Sequence, residues 1–280
     1  MNRTDLQELI DLAFREDVGD GDHTTLSTIP ADAHGGARLL VKEAGVLAGV
    51  ELARYIIERY DPALRMQRFL EDGARVLPGD VAFTLMGPAR SILIVERTLL
   101  NFMQRMSGIA TMTNRFVEAI AGTGCRVLDT RKTTPGLRSV EKWAVRIGGG
   151  TNHRQGLFDM IMIKDNHHDM AGGIPKAIEA ARAYQRERGM DLPIEVETRN
   201  LNEVRQVLNT GGVQRIMLDN FTPELLREAV ALIGRRYETE ASGGIKLENA
   251  RVYAETGVDF ISVGALTHSV PGLDLSLKAL

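Results

Sequence analysis

Hydrophobic positions along the chain keep one rhythm before about residue 122 and another after it. Leu6, Leu9, Ile10 and Ala13 recur at helical spacing, with Thr4 as the expected N-cap. Asp17 through Thr25 is dense in turn formers and reads as a loop. Short apolar runs at Ala37 to Val41, Val46 to Ala48 and Val81 to Leu85 predict strands, with a helical pattern from Glu51 to Tyr60 among them. From Ala89 to Ala121 the pattern is helical again, and Leu99, Phe102, Met103 and Met106 share one face. Gly108 predicts a break between two helices there.

After Gly122, short apolar runs alternate with helical stretches, the pattern of βα units around a parallel sheet. The predicted strands are Arg126 to Asp129, Met160 to Ile163, Ile194 to Val196, Arg215 to Leu218, Tyr237 to Ala241 and Phe260 to Val263. Helices are predicted at Ile174 to Arg188 and Pro223 to Ile233, the second with Pro223 in its first turn after Thr222. A complete eight-stranded barrel typically needs about 250 residues, more than this segment has. The fold class expected is therefore α/β: an open, incomplete α/β barrel over residues 109–265. An N-terminal α+β sandwich domain precedes it over residues 1–108, and a tail of about 266–280 is expected to pack on that domain.

Composition narrows the function. Hydrophobic residues make up 44% of the 280 residues, and the net charge of −3 gives no whole-chain attraction for nucleic acid or an anionic membrane. No run approaches the roughly 18 apolar residues of a membrane span. The single cysteine, Cys125, excludes a disulfide within the chain and suits a reducing cytoplasm. It opens an apolar run and reads as a core residue.

The polar residue past each predicted strand carries the chemistry. In order these are Arg131-Lys132, Lys164, Glu197, Asp219, Ser242-Gly243-Gly244 and Gly264. In an α/β barrel such positions meet at one mouth, where active sites sit. Arg131, Lys132, Arg154 and Lys164 would converge there with His153, and crowded cations are unfavourable unless an anion arrives. Arginine forks suit carboxylates and phosphates, and lysine suits phosphate as a point charge. Glu197 and Asp219 form a carboxylate pair able to hold Mg²⁺ on a diphosphate. Glu195 lies two residues from Glu197, on the same side of its strand. Glycines at 243, 244 and 264 let backbone N–H groups approach a phosphate closely.

Several ordered runs resemble the quinolinate phosphoribosyltransferase family. They are Asp129-Thr130-Arg131-Lys132-Thr133-Thr134-Pro135-Gly136, Gly148-Gly149-Gly150-Thr151-Asn152-His153-Arg154, Ile163-Lys164-Asp165-Asn166, Glu195-Val196-Glu197, Leu218-Asp219-Asn220, Ser242-Gly243-Gly244 and Val263-Gly264-Ala265. The resemblance spans nearly the whole chain. It implies transfer of phosphoribosyl from phosphoribosyl pyrophosphate to quinolinate, with decarboxylation, in de novo NAD biosynthesis. It assigns substrate binding to Thr130, Arg131, Lys132, His153, Arg154 and Lys164, and 5′-phosphate contacts to Ser242, Gly243, Gly244, Val263, Gly264 and Ala265. Lys132, Lys164, Glu197 and Asp219 are the catalytic candidates, with Mg²⁺ held mainly by the diphosphate near the two carboxylates. It also implies a homodimer, with Arg97 reaching the neighbouring subunit's pocket, although the residue alone reads as a helix-surface ion pair. A related pyrophosphorylase for another base would differ in releasing no carbon dioxide from quinolinate. A silent phosphate-ligand sensor would not need Lys132, Lys164, Glu197 and Asp219 together.

Overall fold

The computed structural model describes residues 3–280. In chain order the elements are α1 (Arg3–Val18), α2 (His23–Thr28), β1 (His34–Val41), β2 (Gly45–Val46), α3 (Val50–Tyr60), β3 (Arg65–Arg68), β4 (Arg75–Val76), β5 (Val81–Pro88), α4 (Ala89–Ala119), β6 (Arg126–Leu128), α5 (Arg138–Ile147), β7 (Ile161–Ile163), α6 (Asp165–Ala171), α7 (Ile174–Arg188), β8 (Ile194–Thr198), α8 (Leu201–Thr210), β9 (Arg215–Asp219), α9 (Pro223–Ile233), β10 (Glu238–Ser242), α10 (Ala250–Ala254), β11 (Phe260–Ser262), α11 (Ala265–His268) and β12 (Leu275–Ala279). They form two compact units.

The first unit takes the chain through Asn114, then Thr133–Gly149 and Ser269–Leu280. Its antiparallel sheet runs β12-β1-β5-β3. Ala37, Leu39 and Val41 alternate inward on β1 and pack with Phe83 and Leu85 of β5 and Leu275 and Leu277 of β12. Each such large side chain, fully buried, contributes about 1.5–3 kcal/mol of transfer free energy. The last strand is tied to α4 as well, where Gln104 Nε2 donates to the Leu275 carbonyl (2.9 Å).

Four expectations change in this unit. Helix α1 begins at Arg3, so Thr4 lies in its first turn and is not its cap. Within the turn-rich stretch, Asp22 caps a helix: its Oδ1 accepts the Thr25 N–H (3.0 Å) and α2 follows. Aspartate favours N-caps for the same reason that it favours turns, because its short side chain reaches backbone N–H groups. At Gly108 there is no break, and α4 runs unbroken for 31 residues. The glycine is there for space, since a Cβ would overlap the Pro271 carbonyl oxygen. The expected strand over Val46 to Ala48 shortens to the two-residue β2.

The second unit comprises Arg115–Lys132 and Gly150–His268. Its six strands are parallel, in the order β6-β11-β10-β9-β8-β7. All six sequence-predicted strands are present, and the sheet does not close. Beyond β6 one further bridge pairs Leu128 with Thr151. The chain then runs from Thr151, beside one edge strand, to Ile161 of β7, the other edge strand. Residues 152–160 therefore join the two free edges. Thr222 caps α9 through its Oγ1, with Pro223 in the first turn, as the spacing predicts. Cys125 is buried, and burial pushes its thiol up to about 12, which keeps it unreactive.

Candidate active site

The C-terminal strand ends of the second unit bring most of the predicted polar residues together. After β6, Thr130 Oγ1 accepts the Lys132 N–H (3.0 Å), turning the chain so that Arg131 and Lys132 project past the sheet. The Lys132 carbonyl accepts from Thr267 Oγ1 (2.7 Å), which fixes this turn to the segment after β11. The Lys132 side chain also lies over Gly264, where a Cβ would stand 3.1 Å from Lys132 Cδ. Val263 donates its N–H to the Leu128 carbonyl (3.0 Å), and Ala265 opens α11.

Lys164 follows β7, Glu197 sits on β8 and Asp219 ends β9. Burial raises the Glu197 carboxyl above its usual range, Asp219 adds to the effect, and Lys164 opposes it. These three side chains therefore share one electrostatic site. Two neighbouring carboxylates that disfavour each other's charge suit a divalent cation, so the residues fit Mg²⁺. Past β9, the Asn220 N–H donates to the Ser242 carbonyl (2.8 Å), and Asn220 Nδ2 donates to Asp219 Oδ2 (2.6 Å). Gly243 has φ of 92° and packs so tightly that a Cβ would overlap Asn220 Oδ1. Only glycine suits that position.

Arg131 and Arg154 stand close enough to oppose each other's charge. Burial first, then Arg131, holds the Arg154 guanidinium below its usual range. Arg131 Nε is buried and has no hydrogen-bond partner among the described residues. Arg154 donates one N–H to the Met160 carbonyl (3.2 Å).

His153 differs from the expectation of an open cationic cluster. Its side chain is only 5% exposed and turns inward, with Nε2 3.0 Å from Glu195 of β8 and 3.3 Å from Glu240 of β10. Both carboxylates are fully buried, and Arg215 of β9 lies 3.2 Å from Glu240 and 4.0 Å from Glu195. Burial opposes charge on the imidazole, but the two carboxylates outweigh it and raise its pKa to about 9. The Arg154 amide donates to Nδ1 at 2.6 Å. That amide proton does not titrate away, so the geometry keeps the ring's own proton on Nε2, between the carboxylates. Among the described residues, His153, Glu195 and Glu240 are also the one group of three that meets metal-ligand spacing. Arg215 already supplies the positive charge there.

Sequence reasoning missed Glu240, Arg215 and Asp129. Asp129 Oδ1 accepts the His153 N–H (2.8 Å) and its Oδ2 accepts from Asn152 Nδ2 (2.5 Å). A signal was present: Glu195, Arg215 and Glu240 are charges inside otherwise apolar parallel strands, and such charges need partners. Arg97 belongs to the first unit and is exposed on α4. His167 lies on α6 and accepts the Lys164 N–H at Nδ1 (3.0 Å).

An open parallel barrel with cations, a carboxylate pair and glycine loops at its strand ends defines a class of enzyme that binds phosphorylated anionic substrates. Within that class the chain belongs to the quinolinate phosphoribosyl transferase family: residues 22–107 match its N-terminal domain and residues 109–278 its C-terminal domain. A rice protein named nicotinate-nucleotide pyrophosphorylase [carboxylating], chloroplastic, is 50% identical, covering 98% of this chain and 77% of its own length. A Mycobacterium leprae protein of that enzyme name is 43% identical over 97% of this chain and 96% of its own. The crystal structure of NadC from Streptococcus pyogenes superposes with a TM-score of 0.94 at 39% identity, covering 100% of this chain and 99% of that one.

Proposed function

We propose that this enzyme transfers the phosphoribosyl group of phosphoribosyl pyrophosphate to the nitrogen of quinolinate and releases carbon dioxide and pyrophosphate, leaving nicotinate mononucleotide. Family membership over nearly the whole chain supports the activity. The observation that carries the substrate reading is the Arg131–Arg154 pair, two crowded guanidiniums with a buried Arg131 Nε that has no hydrogen-bond partner among the described residues. Such an arrangement is stabilised when a dicarboxylate arrives to accept from both forks.

In this reading Arg131 and Arg154 hold the two quinolinate carboxylates and aim the ring nitrogen at the ribose. Positioning of this kind supplies several kcal/mol of the barrier. Lys132 and Lys164 face the phosphates and stabilise negative charge as pyrophosphate departs. Glu197 and Asp219 would hold Mg²⁺, which when bound neutralises diphosphate charge. The loops Ser242–Gly244 and Val263–Ala265 would cradle the 5′-phosphate through backbone N–H groups. As the C–N bond forms, the bond from the ribose carbon to the pyrophosphate oxygen breaks and the ring nitrogen becomes cationic. The adjacent ring carbon then loses its carboxylate as carbon dioxide, keeps the electron pair beside the cationic nitrogen, and takes a proton from solvent. The test is purified protein with quinolinate, phosphoribosyl pyrophosphate and Mg²⁺. One carbon dioxide per mononucleotide is expected, and turnover of nicotinate without carbon dioxide release from quinolinate would overturn the reading.

The same reading extends to a cytoplasmic homodimer in which Arg97 enters the partner's site. The exposure of Arg97 on α4 and the single buried cysteine support it. Arg97→Ala and Lys132→Ala are each expected to be inactive alone. Mixed and re-equilibrated, they regain activity if Arg97 acts across an interface. No recovery would place Arg97 outside the partner's site.

A further inference from the structure

The segment that joins the two free edges of the barrel sheet has unusual supports. Its outer anchors are ordinary hydrogen bonds: Asp129 accepts from the His153 backbone, and the Asp159 carboxylate accepts the N–H groups of Gln155 (2.7 Å) and Gly156 (2.9 Å). Its inner anchor is the His153 side chain, which reaches from beside β6 to carboxylates on β8 and β10. Arg215 of β9 pairs with Glu240 there and with Glu238 (2.9 Å), and Glu238 also faces Arg126 of β6 (3.8 Å). Four of the six strands thus contribute charged groups to one chain of ion pairs, and His153 is its only link to the crossing segment among the pairs described. The next residue, Arg154, is tied to that imidazole through its own backbone N–H.

A buried ion network of this kind is weak evidence for stability, because desolvation offsets much of the attraction. Its geometric effect is stronger. Two carboxylates on different strands draw the Nε2 edge of the ring inward as close charge contacts rather than as directed hydrogen bonds, and the hydrogen bond from the Arg154 amide to Nδ1 sets the ring's orientation from the other side. A dicarboxylate contact by His153 at the mouth would require Nε2 to leave both glutamates. We propose that His153 is a positioning residue, seated inside the barrel by Glu195 and Glu240, that holds the crossing segment in place and aims the Arg154 guanidinium at the dicarboxylate. The inference rests on the reading of Arg131 and Arg154 as the dicarboxylate clamp. It adds Glu195, Glu240 and Arg215 to the residues that determine affinity for quinolinate, although none of the three touches it.

The test is a double-variant cycle on steady-state kinetics with Glu240→Gln, His153→Gln and the pair combined, alongside Arg154→Gln. Each single change is expected to raise KM for quinolinate about tenfold or more, as loss of an outer-shell partner does elsewhere, while KM for phosphoribosyl pyrophosphate stays within about twofold. The combined variant should cost no more than the worse single one, because both break the same link. A purely structural role would lower the active fraction without moving KM. If His153 touched quinolinate directly, Glu240→Gln would leave its KM unchanged or the two effects would multiply, and either result overturns the proposal. An unchanged quinolinate KM in Arg154→Gln would instead remove the clamp reading itself. Should His153→Gln fold poorly, Glu195→Gln replaces it in the cycle with the same expected pattern.

Discussion

Arg131→Ala is expected to lower kcat/KM for quinolinate by about 10²–10³-fold, the usual loss when one preorganised charge-stabilising donor leaves a site. The guanidinium stands beside Arg154 and keeps a buried Nε without a hydrogen-bond partner among the described residues. Its removal leaves one fork for two carboxylates and relieves the crowding that an arriving anion would otherwise relieve. Binding of phosphoribosyl pyrophosphate should change little, since Lys132, Lys164 and the glycine loops remain. Arg131→Lys should recover only part of the loss, because an ammonium is a point charge without the planar fork. Carbon dioxide release at varied quinolinate checks both variants, and near-normal turnover in Arg131→Ala would remove Arg131 from the site.

The largest expected effect on stability lies in the first unit. Arg105→Ala should destabilise the fold by about 3 kcal/mol, the lower end for breaking a buried ion pair. Glu141 is fully buried, and Arg105 donates to its Oε1 through both Nε (3.1 Å) and Nη2 (2.8 Å). Arg105 is itself 26% exposed, which argues for the lower end. The alanine would strand a carboxylate whose remaining side-chain partner among the described residues is the Thr134 N–H on Oε2 (3.1 Å), and the Arg105 bond to the Val270 carbonyl (3.2 Å) would go too. The melting temperature should fall by roughly 6–12 °C on the scaling for larger domains. Changing both residues to apolar ones, as in Arg105→Met with Glu141→Leu, should recover much of that loss. A melting temperature unchanged to about 1 °C in Arg105→Ala would show that the pair does not hold this unit together.

The strands of the second unit were legible because a parallel sheet covered on both faces writes itself as continuous apolar runs. The residues just past them were legible for a related reason, since a charge next to such a run must lie at the strand end. What was hidden depended on distance in the chain. Gly108 looked like a helix break because glycine lowers helix propensity, yet its role is set by the backbone at Pro271, far away in sequence. His153 resembled a pocket cation because its spacing from Arg154 said nothing about which way the ring turns. Only the fold places Glu195 and Glu240, from two other strands, beneath it. Glu195 had shown its side of the strand, but the partner that gives it meaning lies 3.0 Å away on a segment with no regular structure.

The pairing of β12 with β1 has a consequence for how the chain is made. Leu39 lies opposite Leu277, so the first strand of the antiparallel sheet waits for residues made 238 positions later in the chain. At about 5–20 residues per second of synthesis, one edge of β1 stays open on the order of tens of seconds. An unpaired edge beside an apolar face is a template for a wrong partner. The ribosome-bound intermediate, more than the finished fold, is thus where this protein is most exposed to aggregation.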